Sequence, residues 1–135
     1  VIQAPTGRVS RYDPAMPAPE NVALARAWLC AFNAHDVAAL LTLYHDRAAH
    51  TSPKIRAQFP ETGGKVVGKD ALRAWFEGAI ARVPGLRYEE SAITATDERM
   101  LLEYVRHAAG EAPMPVAEVF EVAGGRIVAS RVYHG

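Results

Sequence analysis

Apolar residues recur along this chain with two periods, and the change between them divides it. From Val22 to Val83 the spacing is mainly helical; from Leu86 onward it is that of strands. Val22, Ala25, Trp28, Leu29 and Phe32 form one stripe, widened by Leu24 and Ala31. They predict a first helix starting near Pro19-Glu20, where a proline and an acid suit the first turn. Asn33 falls at its end. Asp36 is placed to cap a second helix whose face is Val37, Leu40, Leu41 and Tyr44. After Arg47 the pattern shifts to Ala-Ala-His-Thr-Ser, a short strand with His50 and Ser52 on one side, and Pro53 stops it. A third helix opens at Gly68-Lys-Asp70, presents Leu72, Trp75, Phe76, Ala79 and Val83 on one face, and ends at Pro84-Gly85.

The remainder reads as strands: Leu86 to Thr96, Arg99 to Ala108, Val116 to Val122 and Arg126 to His134. Thr96-Asp97-Glu98 is a turn, residues 110–115 a loop, and Gly124-Gly125 a tight hairpin. Three helices followed by such a run predict an α+β fold, with the helices on one face of a curved antiparallel sheet. Residues 54–68, with Pro60, Gly63 and Gly64, read as a long loop of the kind that often serves as a lid. Gly63-Gly64 lacks the wider pattern of a phosphate-binding loop and reads as an ordinary turn. Residues 1–19 hold four prolines and Gly7 and read as an extended arm, leaving 20–135 as one domain.

Composition narrows the function classes. At 135 residues, half of them apolar, the chain is long enough for a real core. Fifteen basic residues balance fifteen acidic ones, and no basic stripe with interleaved aromatics appears, so nucleic acid is not an expected partner. Cys30 is the one cysteine; no internal disulfide and no metal-type Cys/His spacing is possible, and Cys30 reads as a filler residue. No apolar run nears the ~20 residues that span a bilayer, so no membrane association is expected. No secretory signal is visible, and a cytoplasmic location is the expectation.

Parity points to chemistry. Phe120 and Val122 belong to the core and Glu121 to solvent, so period two turns Glu118 inward. A carboxyl in an apolar pocket is expected to have a raised pKa. His50 and His134 are the histidines placed to serve as acid or base. His35, His45 and His107 read as surface or turn residues, and Glu103 and Glu121 as residues of the opposite face.

The run Trp28-x-x-x-Phe32-Asn33-Ala-His-Asp36, continued by Tyr44-x-Asp46 and His50-Thr-Ser-Pro53, resembles the opening of the nuclear-transport-factor-2-like superfamily. It is most similar to the ketosteroid-isomerase and SnoaL-like polyketide-cyclase branches, and the likeness extends from Glu20 to Gly135. It implies a cone-shaped (cystatin-like) sheet enclosing a pocket, and a homodimer formed through the outer sheet face. Glu118-Val-Phe-Glu-Val resembles the segment where those isomerases carry the neutral acid of their oxyanion hole. Trp28 stands where they place a tyrosine donor, and Tyr44 matches a second tyrosine of their network. Ser52 stands where their aspartate base lies, and Val132 where SnoaL-like cyclases carry theirs, so both familiar bases are missing. Ser130, Val132 and His134 match pocket positions; Met100, Leu102 and Tyr104 match its apolar wall, to which Trp75 and Phe76 add.

Catalytic candidates are therefore His50, Glu118 and His134. Binding candidates are Trp28, Tyr44, Ser52, Trp75, Phe76, Met100, Leu102, Tyr104, Ser130 and Val132. The expected activity is a cofactor-independent isomerase, lyase or cyclase acting on a small hydrophobic carbonyl compound. A pocketed binding module and an interaction domain with a filled pocket are the alternatives. No cofactor and no metal is implied.

Overall fold

The computed structural model describes residues 18–135: four helices and one six-stranded sheet. The helices are α1 (Pro19–Asn33), α2 (Val37–Leu41), α3 (Pro53–Gln58) and α4 (Lys69–Arg82). The strands are β1 (Tyr44–Thr51), β2 (Lys65–Val67), β3 (Arg87–Ala95), β4 (Arg99–His107), β5 (Met114–Ala123) and β6 (Arg126–His134). The expected N-terminal arm lies outside the described residues up to position 17, while Ala18 caps α1 and Pro19 begins it.

The α1–α2 corner forms as its residues require. His35 takes a left-handed conformation (φ 57°), and the Asp36 carboxylate accepts the Ala39 N–H at 3.0 Å. The helix after it is shorter than its apolar spacing implies. It stops at Leu41, and the strand begins at Tyr44 rather than after Arg47, because β6 captures the chain there: the Ile127 N–H bonds the Leu43 carbonyl and Tyr44 pairs with Ile127. Residues 54–68 are likewise not one long loop. Ser52 caps α3 by accepting the Lys54 N–H, a short 3-10 turn spans Pro60–Thr62, and β2 adds to the edge of the sheet. Gly64, at φ 89°, is a tight point: a Cβ there would sit 3.1 Å from that of Arg56.

The strands run β2-β1-β6-β5-β4-β3 across a curved, unclosed sheet. Every pair is antiparallel except β1 with β6, which is parallel, so the sheet is mixed. The parallel pair arises because β1 and β6 are joined through the rest of the fold and not by a hairpin. Irregularities interrupt β1 between Tyr44 and Ala49 and the β5–β6 ladder between Glu121 and Val122. After the latter, Ile127 and Ser130 both turn inward although they are three residues apart.

Helix α1 packs over β3 and β4, and α4 over β1 and β2. The inward faces of β5 and β6, at the centre of the sheet, are left between them. Trp28 fills the closed end. Its ring stacks on Phe32 at 5.4 Å and meets Phe120 edge-on at 5.3 Å, and its indole N–H donates to the Tyr44 hydroxyl at 2.8 Å. Trp28→Phe keeps most of the stacking but removes that buried donor. It is expected to cost about 2–4 kcal/mol in urea denaturation, whereas Arg26→Ala, at an exposed ion pair with Glu90, is expected to cost less than about 1 kcal/mol.

Candidate functional site

The gap between the two helices is a cavity of about 180 Å³. Its floor is the inward face of the sheet: His50 from β1, Tyr104 and Arg106 from β4, Glu118 from β5, and Val132 and His134 from β6. Trp28 and Phe32 on α1 and Trp75 and Phe76 on α4 form its walls, with Tyr88 of β3 closing one side. Tyr88 lies between Phe32 and Tyr104, its ring 4.0 Å from one and 4.2 Å from the other.

At the inner end sit two titratable groups that solvent does not reach. Glu118 is 1% exposed and His50 3%. The Tyr104 hydroxyl donates to Glu118 Oε1 at 3.0 Å, but Oε2 has no hydrogen-bond partner among the described residues. His50 Nδ1 lies 3.8 Å from that oxygen and 2.6 Å from the Ser130 hydroxyl. The parallel β1–β6 register puts His50 beside Ser130, and the antiparallel β5–β6 register puts Ser130 beside Phe120 and Val132 beside Glu118. Burial raises the Glu118 carboxyl to about 8, against a lowering by the Tyr104 hydrogen bond. Burial lowers His50 to about 4. Near neutral pH, then, the pair is a protonated carboxylic acid facing a neutral imidazole. Burial also pushes the Tyr44, Tyr88 and Tyr104 hydroxyls up, so all three stay protonated.

The outer end is different in kind. Lys54, Arg82, Glu111 and His134 are exposed there, and Arg106 reaches in from β4. Arg106 is only 6% exposed; its Nη1 donates to Glu111 at 2.6 Å. That bond and the guanidinium charge hold the Glu111 carboxyl below its usual range. Partial burial, then the charges of Lys54 and Arg106, lower the His134 pKa. Arg82 lies over the Trp75 ring, 5.4 Å from its centre.

Of the residues singled out by sequence, His50, Glu118, His134, Trp28, Ser52, Trp75, Phe76, Tyr104 and Val132 line the cavity. His134 stands at the outer rim, away from the buried pair. Four do not line it. Met100 and Leu102 are buried in the core, because the early part of β4 lies where Trp28 and Phe120 fill the space. Tyr44 and Ser130 lie behind the lining and act through Trp28 and His50. Trp28 has its N–H taken by Tyr44, so it offers a ligand an aromatic surface and no free donor. Ser52 spends its hydroxyl's acceptor role on the Lys54 N–H.

Arg106, Tyr88 and Glu111 were not anticipated. Arg106 had a signal: the parity that turns Met100, Leu102 and Tyr104 inward also turns Arg106 inward. Tyr88 had none, since an irregularity in the β3–β4 ladder between Glu90 and Ala92 breaks the alternation. Among the described residues no group of three His, Cys, Asp or Glu side chains could hold a metal ion, and no helix is long and apolar enough to cross a membrane.

Residues 25–130 match the SnoaL-like domain family. The fold is similar to a SnoaL-like protein of unknown function from Burkholderia thailandensis (26% identity, TM-score 0.77, covering 89% of this chain and 98% of that one). It is also similar to a ketosteroid isomerase, so named provisionally, from Kribbella flavida (14% identity, TM-score 0.71, 87% and 78% covered). A third similar structure is TerC co-crystallised with polyporic acid (14% identity, TM-score 0.74, 86% and 92% covered). At 14% identity the last two show the fold alone. No curated protein matches the chain.

The buried pair gives stability a pH dependence of two signs. Glu118, raised from 4.5 to about 8, stabilises the fold fully below about pH 4.5, and that contribution is lost as pH rises toward 8. His50, lowered from 6.5 to about 4, contributes fully above 6.5 and loses it as pH falls toward 4. Glu118→Gln removes only the first effect. Its stability relative to the parent, measured by urea denaturation, is expected to improve by about 2–4 kcal/mol between pH 5 and pH 8.5. A difference independent of pH would mean that the carboxyl is not held neutral.

Proposed function

The chain belongs to the SnoaL-like domain family, and on that premise we propose that it is a cofactor-independent acid–base catalyst, an isomerase, lyase or cyclase acting on a small, largely apolar carbonyl compound. One observation carries the reading: a fully buried carboxyl with an unpartnered oxygen faces a buried imidazole across 3.8 Å, and both line one cavity. An acid kept neutral there donates a hydrogen bond from Oε2 to the carbonyl oxygen of the substrate. That bond strengthens as negative charge builds on the oxygen. His50 supplies the base. With Nδ1–H donating to Ser130 Oγ, the other ring nitrogen, Nε2, carries the lone pair. It takes a proton from the carbon next to the carbonyl and returns it to the same skeleton, so no oxidant or external proton is needed. Tyr104 orients the carboxyl through Oε1, leaving Oε2 for the ligand.

The cavity volume limits the ligand's size. About 180 Å³ is close to the ~150 Å³ that holds a benzene molecule. A single ring with a small substituent fits within it.

A second reading, binding without turnover, is favoured by a specific feature. Ser52 is committed to capping α3, and Val132 is apolar, so neither position supplies an acid or base. Proton–deuterium exchange beside the carbonyl of small cyclic ketones in D2O, followed by NMR, separates the two readings. The parent is expected to catalyse exchange at a rate flat from about pH 5 to 7 and falling as pH passes about 8, where Glu118 loses its proton. His50→Ala and Glu118→Gln are each expected to slow exchange about 100-fold or more while binding persists. Binding by the parent with no exchange would leave the binding module as the account.

A further inference from the structure

We propose that the ligand of this pocket is a one-ring keto acid, with its carbonyl at the buried pair and its carboxylate held at the outer end by Arg106 and Lys54. The inference rests on the pocket reading above but not on turnover. Three observations lead to it.

First, charge is distributed unevenly. The whole chain has as many acidic as basic residues. The cavity lining carries three fixed cations, Lys54, Arg82 and Arg106, against Glu111 and the buried Glu118. All three cations lie at the outer end, where His134 adds a further polar group.

Second, Arg106 is buried in a way that an ordinary surface pair does not require. It is 6% exposed, on the inward face of a strand, two residues past Tyr104. Its one ion-pair partner among the described residues, Glu111, is half exposed and sits in the turn between β4 and β5. Only Nη1 is engaged by a side chain among the described residues, although a guanidinium offers five donors in a planar fork. The unused donors match the two oxygens of a carboxylate.

Third, the two ends are set apart. Leu102 pairs with Glu118, and Arg106 lies four residues further along the same strand, about 13 Å between backbone positions. That separation suits a ligand with a carbonyl at one end and a charge at the other. It does not suit a small inorganic anion touching both groups. Tyr104 and Phe76 also line the cavity and offer apolar surface to a ring, while Tyr88 is itself held between Phe32 and Tyr104 and backs that wall.

The fit also assigns a role to Glu111. It occupies Arg106 when the pocket is empty of ligand, and an incoming carboxylate shares or displaces that contact. Glu111 is thus a specificity residue that weakens binding of anions, and its removal strengthens it.

The probe is a cyclohexanone bearing a carboxylate on the carbon opposite the carbonyl, compared with its methyl ester by isothermal titration calorimetry. The carboxylate is expected to bind the parent about ten-fold more tightly than the ester, an advantage that shrinks at about 0.5 M salt. Arg106→Gln is expected to erase the preference while the ester's affinity holds. Because Arg106 is buried and its replacement can disturb the strand, Glu111→Gln, on an exposed turn, provides the independent arm: it is expected to raise affinity for the carboxylate several-fold and leave that for the ester unchanged. Equal affinities of acid and ester in the parent, tighter binding of the ester, or binding of neither overturns the proposal. Proton exchange read on both probes keeps the two conclusions apart. Exchange of an ester that binds as well as its acid ends this inference and leaves the catalytic one. Selective binding of the acid without exchange does the reverse.

Discussion

A carboxyl group surrounded by the core is costly to ionise, and the placement of Glu118 sets much of the remaining chemistry. Its strand is central in the sheet, so its side chain meets solvent from neither edge. The protein could have offset that cost with a cation. It instead supplies one phenol, Tyr104, and a neutral imidazole at 3.8 Å, both of which tolerate a protonated acid. The result is an inner compartment whose groups are polar yet uncharged near neutral pH.

The aromatic packing serves the same end. Trp28 closes the inner end and holds Tyr44, and Phe32, Tyr88 and Tyr104 stack in sequence along one wall. Large, stiff rings define a cavity without filling it, which explains how a domain this small keeps about 180 Å³ open next to its core. Charge is moved outward. Lys54 and Arg82 are exposed at the rim and Arg106 is buried with Glu111 as its partner, and all three leave the neutral state of Glu118 and His50 undisturbed: neither residue's shift has a cation among its causes. The cavity is thus polar but neutral at its inner end and cationic at its outer end, with aromatic rings along its walls.

Legibility differed by residue. The inward face of β5 was readable, since Phe120 and Val122 on one side and Glu121 on the other leave no other place for Glu118. The same reasoning reached Arg106 on β4 in principle, but an arginine reads by habit as a surface residue. The Asp36 cap followed from local chemistry, because its carboxylate satisfies a backbone group within its own turn, and the ends of α1 and α4 from local signals: proline and an acid in the first turn of α1, Gly68 before α4 and Pro84-Gly85 after it. The start of β1 did not. Tyr44 continues a helical stripe, and only its pairing with Ile127, far along the chain, makes it a strand residue. Met100 and Leu102 had the right parity for the pocket but the wrong height along β4.

The sequence by itself therefore determined the division into helical and sheet halves, the inward face of the late strands, the apolar character of the interior and the family resemblance. These depend on periodicity and on neighbours within a few residues. Only the tertiary structure decided that β1 lies parallel to β6, that His50 thereby meets Ser130 and Glu118, that Trp28 gives its N–H to Tyr44, and that Arg106 and Lys54 share one rim. Each of those joins residues from distant parts of the chain, and each turns on strand order, on local irregularities in the ladders, and on which of several apolar side chains fills a given space. Local pattern carries none of these, because the energy that selects them exists only once the layers are packed.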